Sequence, residues 1–571
     1  MRLWDVMPGT ARALRPAASG LAGRLPRVSV GSVVLSAMCV PTLVGLAVAL
    51  RVIDLNRVGF NSDEAVYSGQ AAALIGDETM SQFFSVFRAH PLLLQTMLGG
   101  LFEVVGVSDL AARLLVALTF GVGSVVLTYM LAYRLYGQRV AIVAAAILAV
   151  LPYHVLVSRQ VLLDPAFGFF VILSLWFVAR GTDDQTGRWM IGAALAAALA
   201  TATKEVAVLL FVVVASFIII SGLWRRFPSG RFRRLAVSLV LFASIVAPFP
   251  LTRVFLAPGS GSSYLLWQFT RPANHDETYF LQVLGQFGGI AFVALAVLGI
   301  VVMLYRLRLR AEGDLLILLW LIVFFGFFQI WRIKLFSYLM VVVPALAVCA
   351  AVGLDAAARW LADTVPRFRA KRAAWAAALV AIATLGLVAQ LGSASVDVVR
   401  GGAGIVASPV EFDIEVQDFA GGREFGYWAR DHTPPDARFL SIGPSIGNIL
   451  RFYGDRESLA LSVSSDPRSR NPAYVPVANP DLWLRQMGIH YIVWDFYSAD
   501  RSAFYNGRLM AYARKYGIAV VFAVYQKADG GLYFGTDPPE GAEPRILVYD
   551  AVGGDPLRTK TTSPVQETQV Q

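Results

Sequence analysis

Charge is scarce in this chain. Only 15% of its 571 residues are Asp, Glu, Lys or Arg, against about 25% in an ordinary soluble domain. That deficit excludes a typical cytosolic enzyme. Cysteine is nearly absent as well: Cys39 and Cys349 both lie inside apolar runs, which leaves neither a disulfide framework nor a thiolate metal site. The five histidines, His90, His154, His275, His432 and His490, are scattered. None pair at ligand spacing, and no outer loop carries an Asp-x-Asp pair. No internal repeat marks the chain as a solenoid.

What fills the chain is apolar. Hydrophobic residues make up 57%, mean hydropathy is +0.60, and runs of roughly 15–22 apolar residues recur at the length needed to cross a bilayer core of about 30 Å. Eleven spans are expected, near 30–50, 110–132, 139–153, 163–179, 189–203, 206–224, 235–252, 287–305, 315–331, 337–354 and 374–392. The chain reads as a polytopic α-helical membrane protein.

Charge distribution orients it. The net charge of +10 does not indicate nucleic acid as a partner, because residues 1–394 hold 32 Lys/Arg against 18 Asp/Glu, whereas residues 395–571 hold 17 against 21. In the membrane half, 22 of the 32 basic residues fall in the N-terminal segment and in alternate connections, as the positive-inside rule requires. The Arg-rich stretch before residue 30 resembles a signal peptide, but no small-residue cleavage site follows its apolar run. The expected topology is a cytoplasmic segment 1–29, a membrane domain 30–394 with outer loops 51–109 and 254–286, an extracytoplasmic domain 395–556 and a disordered tail 557–571. The expected location is the plasma membrane. Within the tail domain, short buried strands at Phe439–Ile442, Tyr491–Trp494 and Ile518–Tyr525 alternate with helical patterns at 424–431, 480–488 and 503–516, which suggests a small α/β unit.

The candidate chemistry sits in the outer loops. A helix starting near Ser62 places Asp63, Tyr67 and Gln70 on one face. An acidic pair, Asp63-Glu64, at a membrane surface can deprotonate an incoming hydroxyl. The alternative is that both acids only complement the helix dipole behind an Asn/Ser cap. His90 stands before Pro91, where it is either a site residue or the polar start of a Pro-initiated helix. Asp164 before Pro165 reads first as a helix cap and second as a catalytic group. Arg159, Lys204, Arg332 and Lys334 lie on the side that topology should leave poor in base. Ionisable groups at membrane depth are functional by default, although each could snorkel to headgroups. Four on one face favour an anionic ligand.

In order and spacing, Asp63-Glu64, Tyr67, His90-Pro91, Arg159 to Asp164, Thr203-Lys204 and Lys334 to Tyr338 resemble the GT-C glycosyltransferases of the family 39 type. Those enzymes include polyprenyl-phosphate-mannose protein mannosyltransferases and the aminoarabinose transferase that modifies lipid A. The resemblance spans about residues 35–355. It implies a GT-C fold and an integral-membrane enzyme that takes a sugar from a polyprenyl-phosphate donor, with inversion, and delivers it to an extracytoplasmic acceptor on protein, lipid or envelope glycan. By position it makes Asp63 the general base, with Glu64 beside it, matches Arg159 to the family's arginine after the third span, and puts Lys204, Lys334 and Tyr338 near the lipid phosphate or sugar; Arg332 joins these donor-binding candidates as a cation on the same side. Tyr67, His90 and Asp164 are further site candidates. The chain departs from the family at Leu92, where a second Pro is common, and at Phe336-Ser337, where a Pro often stands.

No cofactor is expected beyond the lipid-linked donor as substrate, and the cations can stand in for a metal; a divalent ion is left open. Gly259–Ser263 with Trp267 would form a flap over the site or an ordinary exposed loop. Two other classes remain: a polytopic transporter, which should show repeated halves and midplane charge, and a non-catalytic scaffold that binds cell-envelope polymer.

Overall fold

The computed structural model of the chain describes residues 30–86, 90–182, 187–227, 230–256, 267–308, 311–401 and 420–551, the last without 463, 465 and 473. The expected cytoplasmic segment, the Gly259–Ser263 part of the flap and the C-terminal tail lie outside these residues.

Among the described residues, six helices are long and apolar enough to cross a membrane: Asp109–Tyr136, Leu163–Arg180, Tyr279–Leu307, Glu312–Ile330, Val343–Thr364 and Arg372–Arg400. Shorter apolar helices, among them Gln138–Val150, Arg188–Thr203 and Glu205–Ile220, accompany them. The spans expected near 139–153 and 206–224 are therefore shorter as helices than as apolar runs. Prolines explain one break. Pro152 starts a separate short helix, Pro152–Val157, after an extended Leu151, because the residue before a proline is pushed out of the helical region. The run read as 235–252 divides likewise, into Arg231–Val246 and a second helix from Pro248.

Small residues set the closest helix contact. A Cβ at Gly299 would collide with the Cys349 carbonyl, and one at Gly353 with the Leu295 carbonyl. Helices Tyr279–Leu307 and Val343–Thr364 thus touch backbone to backbone, the packing that membrane helices use where no hydrophobic drive separates lipid from protein.

The C-terminal unit is a six-stranded sheet in the order β2-β1-β3-β6-β4-β5, from β1 (Arg438–Ser441), β2 (Glu457–Ala460), β3 (Tyr491–Asp495), β4 (Ala519–Gln526), β5 (Leu532–Phe534) and β6 (Glu543–Asp550). β1 pairs in parallel with β2 and β3, while the β3–β6, β6–β4 and β4–β5 pairs are antiparallel. Strands β1, β3 and β4 and the helices Gly422–His432, Pro480–Arg485 and Ala503–Tyr516 match the sequence reading. Strands β2, β5 and β6 and the helix Pro444–Gly454 were not foreseen. Parallel β1–β2 needs a crossover, which Pro444–Gly454 supplies. The molecule is a multi-span membrane protein with this mixed sheet domain seated on one face.

Candidate functional site

The helix Ser62–Leu74 opens with reciprocal capping. The Asn61 side chain accepts from the Asp63 and Glu64 backbone N–H groups, each at 3.0 Å, and Glu64 Oε2 accepts from the Asn61 N–H at 3.0 Å. Three otherwise orphaned helix donors are satisfied in this way. Glu64 is fully buried. Arg113 grips it with two donors, Nε to Oε1 at 2.9 Å and Nη2 to Oε2 at 2.6 Å, and the Val161 N–H adds a third at 2.8 Å. Arg113 also donates to the carbonyls of Val58 and Gly59. The acidic pair therefore divides: Glu64 bolts the outer loop to the 158–162 turn, and Asp63, one residue earlier and turned about 100° round the helix, is exposed.

Helix Arg188–Thr203 stops where Lys204 becomes extended (φ −153°, ψ 133°). Lys204 turns inward, its Nζ 2.7 Å from Asp164 Oδ1 and 4.8 Å above the Tyr338 ring. Tyr338 in turn stacks on Phe328, with ring centroids 4.9 Å apart. Asp164 occupies the first turn of Leu163–Arg180, so it complements the helix dipole as well as the lysine. Lys334 comes in on the same short segment as Tyr338. Asn274 clamps its backbone from both directions, each bond at 2.8 Å. Its side chain is buried, and its ammonium donates to the Trp331 carbonyl at 3.2 Å. An ammonium has three N–H donors, so one acceptor among the described residues leaves capacity for an anion.

Three of the sequence candidates, Asp164, Lys204 and Tyr338, are thus in direct contact, and Lys334 shares their segment. Arg159 is placed differently. Its Nη1 donates to the carbonyls of Leu50 at 2.9 Å and Ile53 at 2.7 Å, closing the end of the first helix. Arg332 is exposed and makes no side-chain bond among the described residues.

Other polar groups escaped the sequence reading. Arg51 is fully buried at the end of the helix Val30–Val52, with its donors on His154 Nδ1 (2.7 Å), Ser158 Oγ (3.0 Å) and the carbonyls of Ala47 and Ala149. An Arg at the end of a span signals topology, and only packing reveals that it faces inward. Glu205, next to Lys204 but pointed away from it, accepts from His90 Nδ1 at 2.9 Å. His90 meets Tyr67 edge-on, with centroids 6.5 Å apart.

The sheet domain closes against this region. Tyr453 donates to Asp109 Oδ2 at 3.0 Å and accepts from the Phe60 N–H at 2.9 Å. Burial first, then the Asp109 charge, pushes its phenol well above the usual range, so it stays protonated as a donor. Arg423 Nη1 reaches Asp109 Oδ2 at 3.1 Å and Asn56 Oδ1 at 2.9 Å. Asn448 Nδ2 donates to Ser62 Oγ at 3.0 Å, directly beside Asp63, and Trp267 donates to the Arg468 carbonyl at 2.7 Å. Both outer loops thus touch the sheet domain. Among the described residues no three His, Cys, Asp or Glu side chains converge as a metal site would require.

Residues 89–249 match the family model for dolichyl-phosphate-mannose-protein mannosyltransferase, a stretch that holds His90, Arg159, Asp164 and Lys204. No curated protein sequence matches the chain. Among solved structures, ArnT from Cupriavidus metallidurans superposes with a TM-score of 0.61 at 17% identity, over 92% of this chain and 99% of that one. The same enzyme bound to undecaprenyl phosphate gives 0.61 at 17% identity, over 90% and 99%. The oligosaccharyltransferase AglB from Archaeoglobus fulgidus, in complex with an inhibitory peptide and a dolichol-phosphate, gives 0.56 at 13% identity, over 90% and 76%. At such identities the likeness is one of fold. The chain is a membrane protein with the GT-C glycosyltransferase fold.

Proposed function

We propose that the protein is an inverting glycosyltransferase that moves a sugar from a polyprenyl-phosphate donor to an acceptor hydroxyl on the face covered by the sheet domain. One observation carries the reading: the helix that exposes the Asp63 carboxylate is linked through Tyr67, His90 and Glu205 to the segment of Lys204, a buried lysine over the Tyr338 ring, and the buried Lys334 comes in on the Tyr338 segment. Displacement at an anomeric carbon needs a base at the incoming oxygen and positive charge at the departing one. Asp63 takes the acceptor proton, a contribution of about 10²–10⁴-fold in rate. Lys204 and Lys334 stabilise the charge that grows on the leaving phosphate. Glu64 and Arg113 hold the Asp63 helix in register and do not touch the reacting atoms. Arg159, with Arg51 behind it, and the exposed Arg332 add positive field at the rim. In this reading the side-chain cations carry the charge that a divalent ion supplies in other enzymes. The same reading puts the sheet domain outside the cell, because the positive-inside rule assigns the Arg-rich connections to the cytoplasm.

The test is release of polyprenyl phosphate from undecaprenyl-phosphate sugars by the purified full chain. Asp63→Asn should lower the rate at least 100-fold with donor binding intact. Equal rates in the two proteins would remove Asp63 as the base.

A further inference from the structure

The approach to the Asp63 helix is held from two sides. Arg113, in the membrane domain, donates to the carbonyls of Leu55, Val58 and Gly59, and its guanidinium lies 5.3 Å from the Phe60 ring centroid. The sheet domain holds the same strap from its own side. Arg423 donates to the side chain and the carbonyl of Asn56, and the Tyr453 hydroxyl accepts from the Phe60 N–H at 2.9 Å. Asn448 Nδ2 donates to Ser62 Oγ at 3.0 Å, one residue before the base. Phe60 itself is buried, with its ring centroid 5.1 Å from that of Phe452 and 6.0 Å from that of Tyr453. A Cβ at Gly59 would stand 2.7 Å from the Arg423 Cβ, so strap and sheet domain meet without a gap.

The two clamps share a helix. Asp109 opens Asp109–Leu115, and Arg113 follows four residues later, one turn on. Asp109 Oδ2 accepts from both Tyr453 and Arg423, while Arg113 grips Glu64. Tyr453 is the node between them. An amide N–H only donates and an ionised carboxylate only accepts. The phenol therefore has one arrangement: it accepts from Phe60 and gives its single proton to Asp109, which ties the strap to the helix that carries Arg113. Tyr453 is buried, and Asp109 and Arg423 are 13% and 15% exposed, so water competes little for these bonds. Residues 56–61 are irregular backbone with no ladder of their own, and their position depends on such outside partners.

A base acts only from within hydrogen-bond reach of the proton it removes, and a misplacement of about 1 Å costs on the order of 100-fold in rate. Resting on the glycosyltransferase reading above, we propose that Tyr453 is a positioning residue for Asp63: the docked sheet domain, through Tyr453 backed by Arg423 and Asn448, sets where the base stands against the acceptor oxygen. The sheet domain is then part of the reactive centre, although none of these three side chains touches the reacting atoms.

The experiment is a double-mutant cycle on the full chain in detergent: wild type, Tyr453→Phe, Asp63→Asn and the two combined. Release of undecaprenyl phosphate from its mannose, glucose and aminoarabinose derivatives reads turnover, and the thermal shift with bare undecaprenyl phosphate reads donor-lipid binding. Tyr453→Phe keeps the ring and removes only the hydroxyl. It should lower kcat about tenfold, the worth of hydrogen bonds to a charged group and a buried amide, with KM for the donor and the lipid shift unchanged. On the Asp63→Asn background the same change should have no further effect beyond about twofold, because no base is left to position. Ser62→Ala removes a contact from the opposite side of the seam, and it runs the same cycle should Tyr453→Phe not fold. A full tenfold loss on both backgrounds overturns the proposal, since Tyr453 would then act on the scaffold and not through Asp63. A silent Tyr453→Phe beside an impaired Asp63→Asn overturns it as well and leaves the transferase reading standing. Asp63→Asn that matches wild type strikes the base assignment itself, and no release from any donor by the wild type strikes both readings.

Discussion

Adjacent acids can have opposite fates because a helix turns about 100° per residue. Glu64 is turned into the protein, where a bidentate Arg113 and two backbone N–H groups neutralise it, whereas Asp63 faces outward. Truncating one partner of a buried pair leaves the other charge uncompensated, at a cost of about 3–5 kcal/mol. Glu64→Ala should therefore reduce folded yield and lower the unfolding temperature in detergent. Asp63→Asn should leave the unfolding temperature within a degree or two while abolishing turnover. If both variants instead unfold alike, Asp63 is part of the scaffold too.

Among the elements, the crossing of Tyr279–Leu307 with Val343–Thr364 is the most sensitive to volume. Gly353 and Gly299 each abut a carbonyl of the opposite helix. A rigid backbone atom cannot yield as a side chain would, so Gly353→Val should separate the helices at a cost of about 3 kcal/mol or more and be lost from the monodisperse fraction on size exclusion. Gly386, in Arg372–Gly401, has open space around it. Gly386→Ala should fold normally and gain up to about 1 kcal/mol from helix propensity. A tolerated valine at 353 would show that the two backbones do not approach so closely.

Across the whole molecule, the seam between membrane and sheet domains places the candidate site where both contribute. The sheet domain also carries a pH response of its own. Asp495, at the end of β3, is fully buried; Oδ1 caps the helix Phe496–Arg501 by accepting from the Ser498 N–H at 2.7 Å, and Oδ2 has no partner among the described residues. Burial raises its pKa to about 6, against the lowering effect of Ser498. A carboxyl whose folded pKa is raised binds more protons in the native state between about pH 4 and pH 6, so stability falls as pH rises through that window. The native state is weakened at neutral pH by on the order of 3 kcal/mol, at about 1.4 kcal/mol per unit. Asn is also a good N-cap. Asp495→Asn should therefore raise the unfolding temperature of the sheet domain at pH 7 and flatten its slope between pH 4 and 6. A variant that keeps the wild-type slope would assign the response to another group.

Hydropathy and charge in the sequence alone determined that this is a multi-span helical membrane protein. The burial of long apolar runs and the sidedness of arginines depend on composition, and bilayer thickness converts composition directly into span length. The ordered motifs likewise identified the GT-C fold, and three strands of the sheet domain were readable from short β-rich runs. Tertiary structure alone decided the rest. Which of Asp63 and Glu64 is exposed depends on helix phase relative to Arg113, a residue some fifty positions away inside an apolar run. That Lys204 meets Tyr338 while Glu205 meets His90 depends on one extended backbone unit at a helix end. Arg51 and Arg159 look alike in sequence as outer-end cations, yet one is enclosed by carbonyls, His154 and Ser158 while the other closes the end of a helix. Side-chain direction is set by packing between distant segments, and hydrophobic pattern specifies that packing only as a face, never as a partner.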